Sequence, residues 1–138
     1  VRLIQDGDIA GVIHTTEKST GIDMYMGIGG APEGVLAAAA LRCIGGQMQT
    51  KLVLEDQEKK DRAARLGITD VNRIYHLDDM VTGDALFAAT GVTNGSILSG
   101  IEINDSIWTH TIVMRSSSKT VRWIKAHHQN IDKFNSQN

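Results

Sequence analysis

Two short turns carry the residue types from which this chain could build chemistry. The first, Asp6-Gly7-Asp8, sets two carboxylates around a glycine after the apolar run Val1–Ile4. The second is Gly27-Ile28-Gly29-Gly30-Ala31-Pro32-Glu33-Gly34, which holds the only proline, four of fourteen glycines and a carboxylate, and leads into the apolar run "VLAAAALRCIGG". Glycines permit close backbone approach, and Pro32 suits the first position of a helix, where its missing N–H is not needed. Three readings of this second turn compete. A dinucleotide fingerprint has Gly27 and Gly29 at its first two positions but Pro32 where the third glycine belongs. A Walker phosphate loop fails because no Gly-Lys-Ser/Thr follows. The third is an anion or metal site at a helix N-terminus, where unpaired N–H groups and the helix dipole favour phosphate. In that reading Glu33 either stabilises the first helical turn against the dipole or binds a hard divalent cation beside the phosphate. Asp6 and Asp8 likewise serve as a turn acid and an N-cap, or accept hydrogen bonds from sugar hydroxyls or hold a cation. If both turns end strands of one sheet, they share its ligand-binding edge.

The elements that must position these turns follow from periodicity. Val1–Ile4 reads as a short strand, and Ile9–Lys18 as a helix with Asp8 as its N-cap, broken at Ser19-Thr20-Gly21. Ile22–Ile28 is apolar at nearly every position, the pattern of a strand covered on both faces. A helix from Pro32 to about Cys43 ends at Gly45-Gly46. Met48–Leu54 is a third strand candidate, and Glu55–Leu66 a charged helix closed by Gly67. "RIYHLDDMV" reads as a strand and then a loop. From Asp84 the chain becomes strand-rich: "ALFAATGVT", a tight turn at Asn94-Gly95, "ILSGIEI", "IWTHTIVMR" and "TVRWIKAHH". The expected architecture is α/β, a mixed β-sheet flanked by helices, with residues 1–128 as the domain and 129–138 as a polar, fraying tail.

Composition restricts the partners. With 138 residues, 41% hydrophobic, 22% charged and a formal net charge of −2, the chain is long enough for a core and lacks the basic excess that neutralises nucleic-acid phosphates or an anionic membrane. No apolar run approaches 18 residues, and no signal-like start is present, so the default expectation is a cytoplasmic chain. Cys43, the single cysteine, is expected in the core as a reduced thiol. His14 and the His127-His128 pair are expected to be surface or packing residues, Asp78-Asp79 a solvated loop, and Met24 and Met26 packing residues. Arg115 and Lys119 are equally readable as phosphate-facing cations or strand-edge charges. The opening "VRLIQDGD", a strand already under way, suggests an excised piece of a larger protein.

"DGDIAG", "GIGGAPEGVLAAAALRCIGG", "TGVTNGSILSGI" and "VMRSSSKTVRWI", in this order, closely resemble the C-terminal half of class II fructose-1,6-bisphosphatases of the GlpX type, within the lithium-sensitive, metal-dependent sugar and inositol phosphatases. The resemblance implies hydrolysis of the 1-phosphate of fructose 1,6-bisphosphate, in gluconeogenesis, with Mg2+ or Mn2+. It implies that Asp6, Gly7 and Asp8 form a substrate-contacting turn, that Gly30 contacts the sugar phosphate through its backbone, and that Glu33 is a metal ligand. Asp8 is also placed near the metals by the wider group's Asp-x-Ala pattern. The family's remaining metal acids belong to an N-terminal half that has no match here. This chain is therefore expected to supply half of a site, to be inactive alone, to need the N-terminal half of the same enzyme as partner, and to form a homo-oligomer. Two alternatives stay open: a non-catalytic sugar-phosphate-binding module, and a related phosphatase acting on sedoheptulose 1,7-bisphosphate or inositol phosphate.

Overall fold

The computed structural model describes residues 1–4 and 8–130. Its centre is α2, Ala31–Ile44, an alanine-rich helix with one flank on a short helix and the other on an antiparallel sheet. The short helix α1, Asp8–His14, packs along α2 through Val12 against Ala37 and Leu41. On the opposite flank, Ala40 and Cys43 join Ile13 and meet Phe87, Ile112 and Met114 of the sheet. Ala37, Ala40, Leu41 and Cys43 recur at helical spacing, and small residues there let helix and sheet approach closely. These core residues are buried, with no buried polar side chain among the described residues.

The sheet is built around the nine-residue strand β5. With β1 as Gln49–Thr50, β2 as Tyr75–His76, β3 as Leu86–Thr90 and β4 as Glu102–Ile103, the two long strands are β5, Ile107–Arg115, and β6, Thr120–His128. β5 pairs along its whole length with β6, from Ile107↔His128 to Arg115↔Thr120. Its other edge is shared, Leu86–Thr90 pairing with Thr111–Arg115 and Glu102–Ile103 with Ile107–Trp108. β1 and β2 form a separate two-stranded ladder. Every pairing among the described residues is antiparallel. The expected α/β class, helices packed on a sheet, is what the chain adopts.

Several local expectations are corrected. The first helix ends at His14 rather than Lys18, because the hydroxyls of Thr15 and Thr16 donate back to the carbonyls of Val12 and Ile13, each at 2.7 Å. Thr20 Oγ1 then donates to His14 O at 2.7 Å, and Gly21 takes the left-handed conformation at φ 64°. Asp8 is the first residue of α1 itself. Val1–Ile4 and Ile22–Ile28, both read as strands, belong to no ladder among the described residues. Met24 and Met26, expected to pack, are exposed. Of Met48–Leu54 only β1 pairs.

The region read as a loop after Tyr75-His76 contains one helical turn, α4, Leu77–Met80. Asp79 closes it by accepting the His76 N–H at 2.9 Å, while its other oxygen accepts from Arg73 at 2.7 Å. These donors hold its carboxyl below the usual carboxylate range, the His76 N–H most strongly. α3, Gln57–Arg65, starts at Asp56, whose carboxylate accepts from the Lys59 N–H at 2.7 Å. Asn94 and Gly95 do turn the chain, Gly95 N–H reaching Leu98 O at 2.9 Å and Asn94 Oδ1 accepting from Gly100 N–H at 2.9 Å. The flanking strands, however, pair with β5 and not with each other. His127 and His128 close β6, where the strand reading of TVRWIKAHH has them; His127 stacks on Trp108 and bonds Ser106, and His128 bonds Thr109. No described helix is long and apolar enough to cross a membrane.

Candidate active site

The glycine turn enters α2 as its residue types dictate. Gly30 is the N-cap, Ala31 opens the helix, and Pro32 stands in its first turn. A glycine N-cap offers no side chain to the first-turn N–H groups. Glu33 reaches back instead, and its Oε2 accepts the Gly30 N–H at 2.8 Å. Half of a capping box is thus made, the half in which an N3 glutamate bonds the N-cap backbone. The N–H groups of Ala31 and Glu33 have no carbonyl within the helix to receive them. With the dipole of a 14-residue helix behind them, they create positive potential at an exposed mouth.

Two glycines of the turn lie close to side chains. A Cβ at Gly30 would lie 3.2 Å from Glu33 Oε2, so the capping carboxylate would have to give by a few tenths of an ångström. A Cβ at Gly27 would lie 2.6 Å from the Tyr25 hydroxyl. Tyr25 itself packs against the Val12, Ala37 and Leu41 cluster, which ties the turn to the α1–α2 contact.

The turn forms one wall of a groove of about 820 Å3. Gly27 to Ala31, Glu33 and Gly34 line it together with Thr50 to Val53, Glu55, Lys59 and Arg62. Lys51, Lys59 and Arg62 were not singled out from the sequence. Lys59 and Arg62 were visible only as the charged face of an amphipathic helix, which reads as solvent-facing, and Lys51 only as one residue of a strand candidate. Lys59 is already paired with Glu55 and Asp56, at 3.5 and 3.3 Å.

Of the residues proposed from sequence, Gly30 and Glu33 are brought together in direct contact. Asp6 and Gly7 lie outside the described residues, as does the side chain of Asp8; the backbone of Asp8 opens the helix that packs on α2. Arg115 and Lys119 do not face the glycine turn. They lie at the other end of α2, about 20 Å away along a helix of this length, where Lys119 Nζ donates to Arg42 O at 2.7 Å and Arg115 pairs with Asp84 at 3.0 Å. Asp84 also accepts from the Ser116 hydroxyl and the Ser117 N–H, and these donors, led by the Ser116 hydroxyl, hold its carboxyl far below the carboxylate range. Asp78 is solvent-exposed, as expected, and also pairs with Arg42 at 2.6 Å. Cys43 is buried, its Sγ 3.4 Å from Ala85 O, and desolvation pushes its thiol pKa up, away from nucleophilic use.

The described residues do not make a metal site by themselves. No group of three or more His, Cys, Asp or Glu among them could hold an ion, and one monodentate or bidentate glutamate leaves most of an octahedral shell to others.

A helix mouth lined by glycine backbone, with a carboxylate at its lip, offers backbone N–H donors of the kind that suit an anion, in a protein of the α/β class. The particular family is shown by comparison. The family model described as bacterial fructose-1,6-bisphosphatase, glpX-encoded, matches residues 1–128, and the chain belongs to that family. It is 41% identical over 143 aligned residues to the fructose-1,6-bisphosphatase class 2 of Haemophilus influenzae, covering 93% of this chain and 43% of that protein. It is 36% identical over 142 residues to the D-fructose 1,6-bisphosphatase class 2/sedoheptulose 1,7-bisphosphatase of Microcystis aeruginosa and 35% identical to that of Synechocystis, with 93% of this chain and 41% of each relative covered. The chain thus spans about two fifths of the length of these relatives.

Proposed function

We propose that this chain supplies part of the active site of a class 2 fructose-1,6-bisphosphatase, a phosphoric monoester hydrolase that converts fructose 1,6-bisphosphate and water to fructose 6-phosphate and phosphate. The observation that carries the reading is the pairing of Gly30 and Glu33 at the mouth of α2 in a chain of this family. The first-turn N–H groups bind phosphoryl oxygens without a side-chain charge, and the helix dipole adds a fixed positive potential. Gly30 contacts the sugar phosphate through its N–H only when Glu33 releases it, so the carboxylate and the phosphate compete for one donor. Asp6, Gly7 and Asp8 form the turn that holds the sugar hydroxyls.

Glu33 is the proposed ligand for Mg2+ or Mn2+. Because the described residues do not complete such a site, the remaining oxygen donors come from the rest of the enzyme, and no metal-dependent step is assigned to this chain. Residues 1–128 act as the phosphatase domain and 129–138 as its tail, in a cytoplasmic homo-oligomer that serves gluconeogenesis. The names of the Microcystis and Synechocystis relatives favour sedoheptulose 1,7-bisphosphate as a second substrate. The lack of a complete acid cluster among the described residues favours one rival, a sugar-phosphate-binding module without catalysis.

Phosphate release from fructose 1,6-bisphosphate separates them. The chain alone, with or without Mn2+, is expected to release none, and addition of the missing part of the family enzyme is expected to restore metal-dependent release. Release by the chain alone overturns the partial site. Binding of fructose 6-phosphate without release in either form selects the binding module.

A further inference from the structure

We propose that His110 is a pH-sensitive clasp on the loop 91–101. Neutral, it holds both sides of the loop's neck to β5; protonated, it lets one side go. The proposal goes beyond the catalytic reading above and does not depend on it.

The loop, "GVTNGSILSGI", carries no charged or titratable side chain, and the proposed chemistry makes no use of it. It is packed on its own backbone. Ile101 N–H donates to Val92 O at 3.1 Å and Gly95 N–H to Leu98 O at 2.9 Å. A Cβ at Gly91 would run into the Ser99 carbonyl oxygen, and one at Gly100 would lie 2.8 Å from the Thr93 carbonyl carbon. Ile97 and Leu98 fold inward onto the core that holds Phe87 and Ile112, and Ile9 of α1 packs on the same core.

His110 grips the neck of this loop at two points. Its carbonyl accepts the Gly91 N–H at 3.0 Å, and its ring Nδ1 accepts the Ser99 N–H at 3.1 Å. The first is a backbone bond that a change of pH leaves alone. The second exists only while Nδ1 carries no proton, because an imidazolium presents an N–H at both nitrogens. An amide N–H can only donate, so the Ser99 bond selects the neutral ring with its proton on Nε2. A second ring proton sets two donors face to face and removes the bond. The clasp is therefore closed at high pH and opens as pH falls through the window in which an imidazole takes up its proton.

The groups around the ring come from two strands. On β6, Lys125 is the cross-strand partner of His110, and its ammonium lies 5.3 Å over the Trp108 ring. Trp123 is tilted against the His110 ring with centroids 5.8 Å apart, and His127 stacks on Trp108. On β4, Glu102 stands opposite Trp108. The loop and β3 add no charge. The direction of the switch comes from the Ser99 N–H, which an added ring proton displaces.

The test is 15N NMR of this chain between about pH 8 and pH 5, the span of an imidazole's titration. At the upper end the His110 ring proton should lie on Nε2, and a proton on Nδ1 overturns the proposal. As the ring titrates, solvent exchange of the Ser99 amide, divided by its intrinsic rate at each pH, should rise at least ~5-fold, the net worth of one hydrogen bond. The Gly91 amide, bonded to the backbone, should show no such rise. His110→Asn puts an amide oxygen within reach of the Ser99 N–H and cannot titrate, so exchange at Ser99 should stay slow across the whole range. His110→Phe should leave it fast throughout. His127→Asn, beside the same cluster, should keep the wild-type rise. A corrected rate that is flat in the wild-type chain overturns the proposal. So does a rise that persists in His110→Asn, which would assign the effect to another titrating group.

Discussion

Replacing Glu33 by glutamine and by alanine separates two roles that one carboxylate holds at the mouth of α2. In the folded chain its Oε2 takes the Gly30 N–H at 2.8 Å, on an exposed turn whose glycine N-cap supplies no side-chain oxygen. A glutamine at this position keeps an oxygen within reach of that N–H and loses only the charge facing the helix dipole, a cost of about 0.3–1 kcal/mol. Alanine loses the hydrogen bond as well, for a total near ~1–2 kcal/mol. With an unfolding entropy of about 2.1 cal/mol/K per residue, these become about 1–3 °C for Glu33→Gln and about 3–7 °C for Glu33→Ala, read by thermal unfolding of this chain. Turnover of the whole enzyme should order the variants differently. Glutamine and alanine should both reduce metal-dependent phosphate release at least ~100-fold, because a neutral amide is a poor ligand for a hard cation. Near-normal turnover by Glu33→Gln would refute the ligand role and leave Glu33 as a helix cap. Equal destabilisation by the two substitutions would refute the capping geometry.

Four further outcomes follow from the packing. Gly91→Ala should cost about 1–3 kcal/mol, since its Cβ would fall 2.2 Å from the Ser99 carbonyl oxygen, backbone that cannot step aside; a midpoint in urea equal to wild type would contradict this. Leu41→Ala, in the α1–α2 contact and buried, should lose about 2–5 kcal/mol in the same titration. The Asp84 carboxyl is depressed in the folded chain, so its contribution is present above the unfolded carboxylate pKa near ~3.9 and is lost as pH falls through the folded value; Asp84→Asn should flatten the stability profile below about pH 4 and speed amide exchange at Ser117, whose N–H it accepts at 3.0 Å. Cys43, buried with its thiol pKa raised, should react with a disulfide reagent at pH 8 only at the rate of unfolding, and prompt labelling of the native chain would contradict its place in the core.

Much of the scaffold was legible because its signals are local. The glycine-proline entry to α2, its stop at Gly45, the charged helix closed by Gly67 and the two long strands of the hairpin each follow from a few adjacent residues. The contact of Gly30 with Glu33, three residues apart across a helix start, is equally local but was not read from the sequence. One failure was local: the threonines at 15 and 16 ended α1 early by bonding backward to residues three positions earlier. The others needed a distant neighbour. The strand read at 22–28 depends on partners that the described residues do not supply. The acids at 78 and 79 read as a solvated loop until Arg42 and Arg73 were placed beside them.

The amino-acid sequence by itself determined the helix mouth and its family, because a glycine-proline helix start is written in about eight consecutive residues. Only the tertiary structure decided which side chains surround it. It set Arg115 and Lys119 at the far end of α2 and brought Lys51 and Arg62 into the groove that the glycines line. It also left Met24, Met26 and Ile28 bare. Hydrogen bonds at a helix start are fixed by residues three or four apart, whereas a groove wall and an uncovered face depend on where chain segments dozens of residues away come to rest.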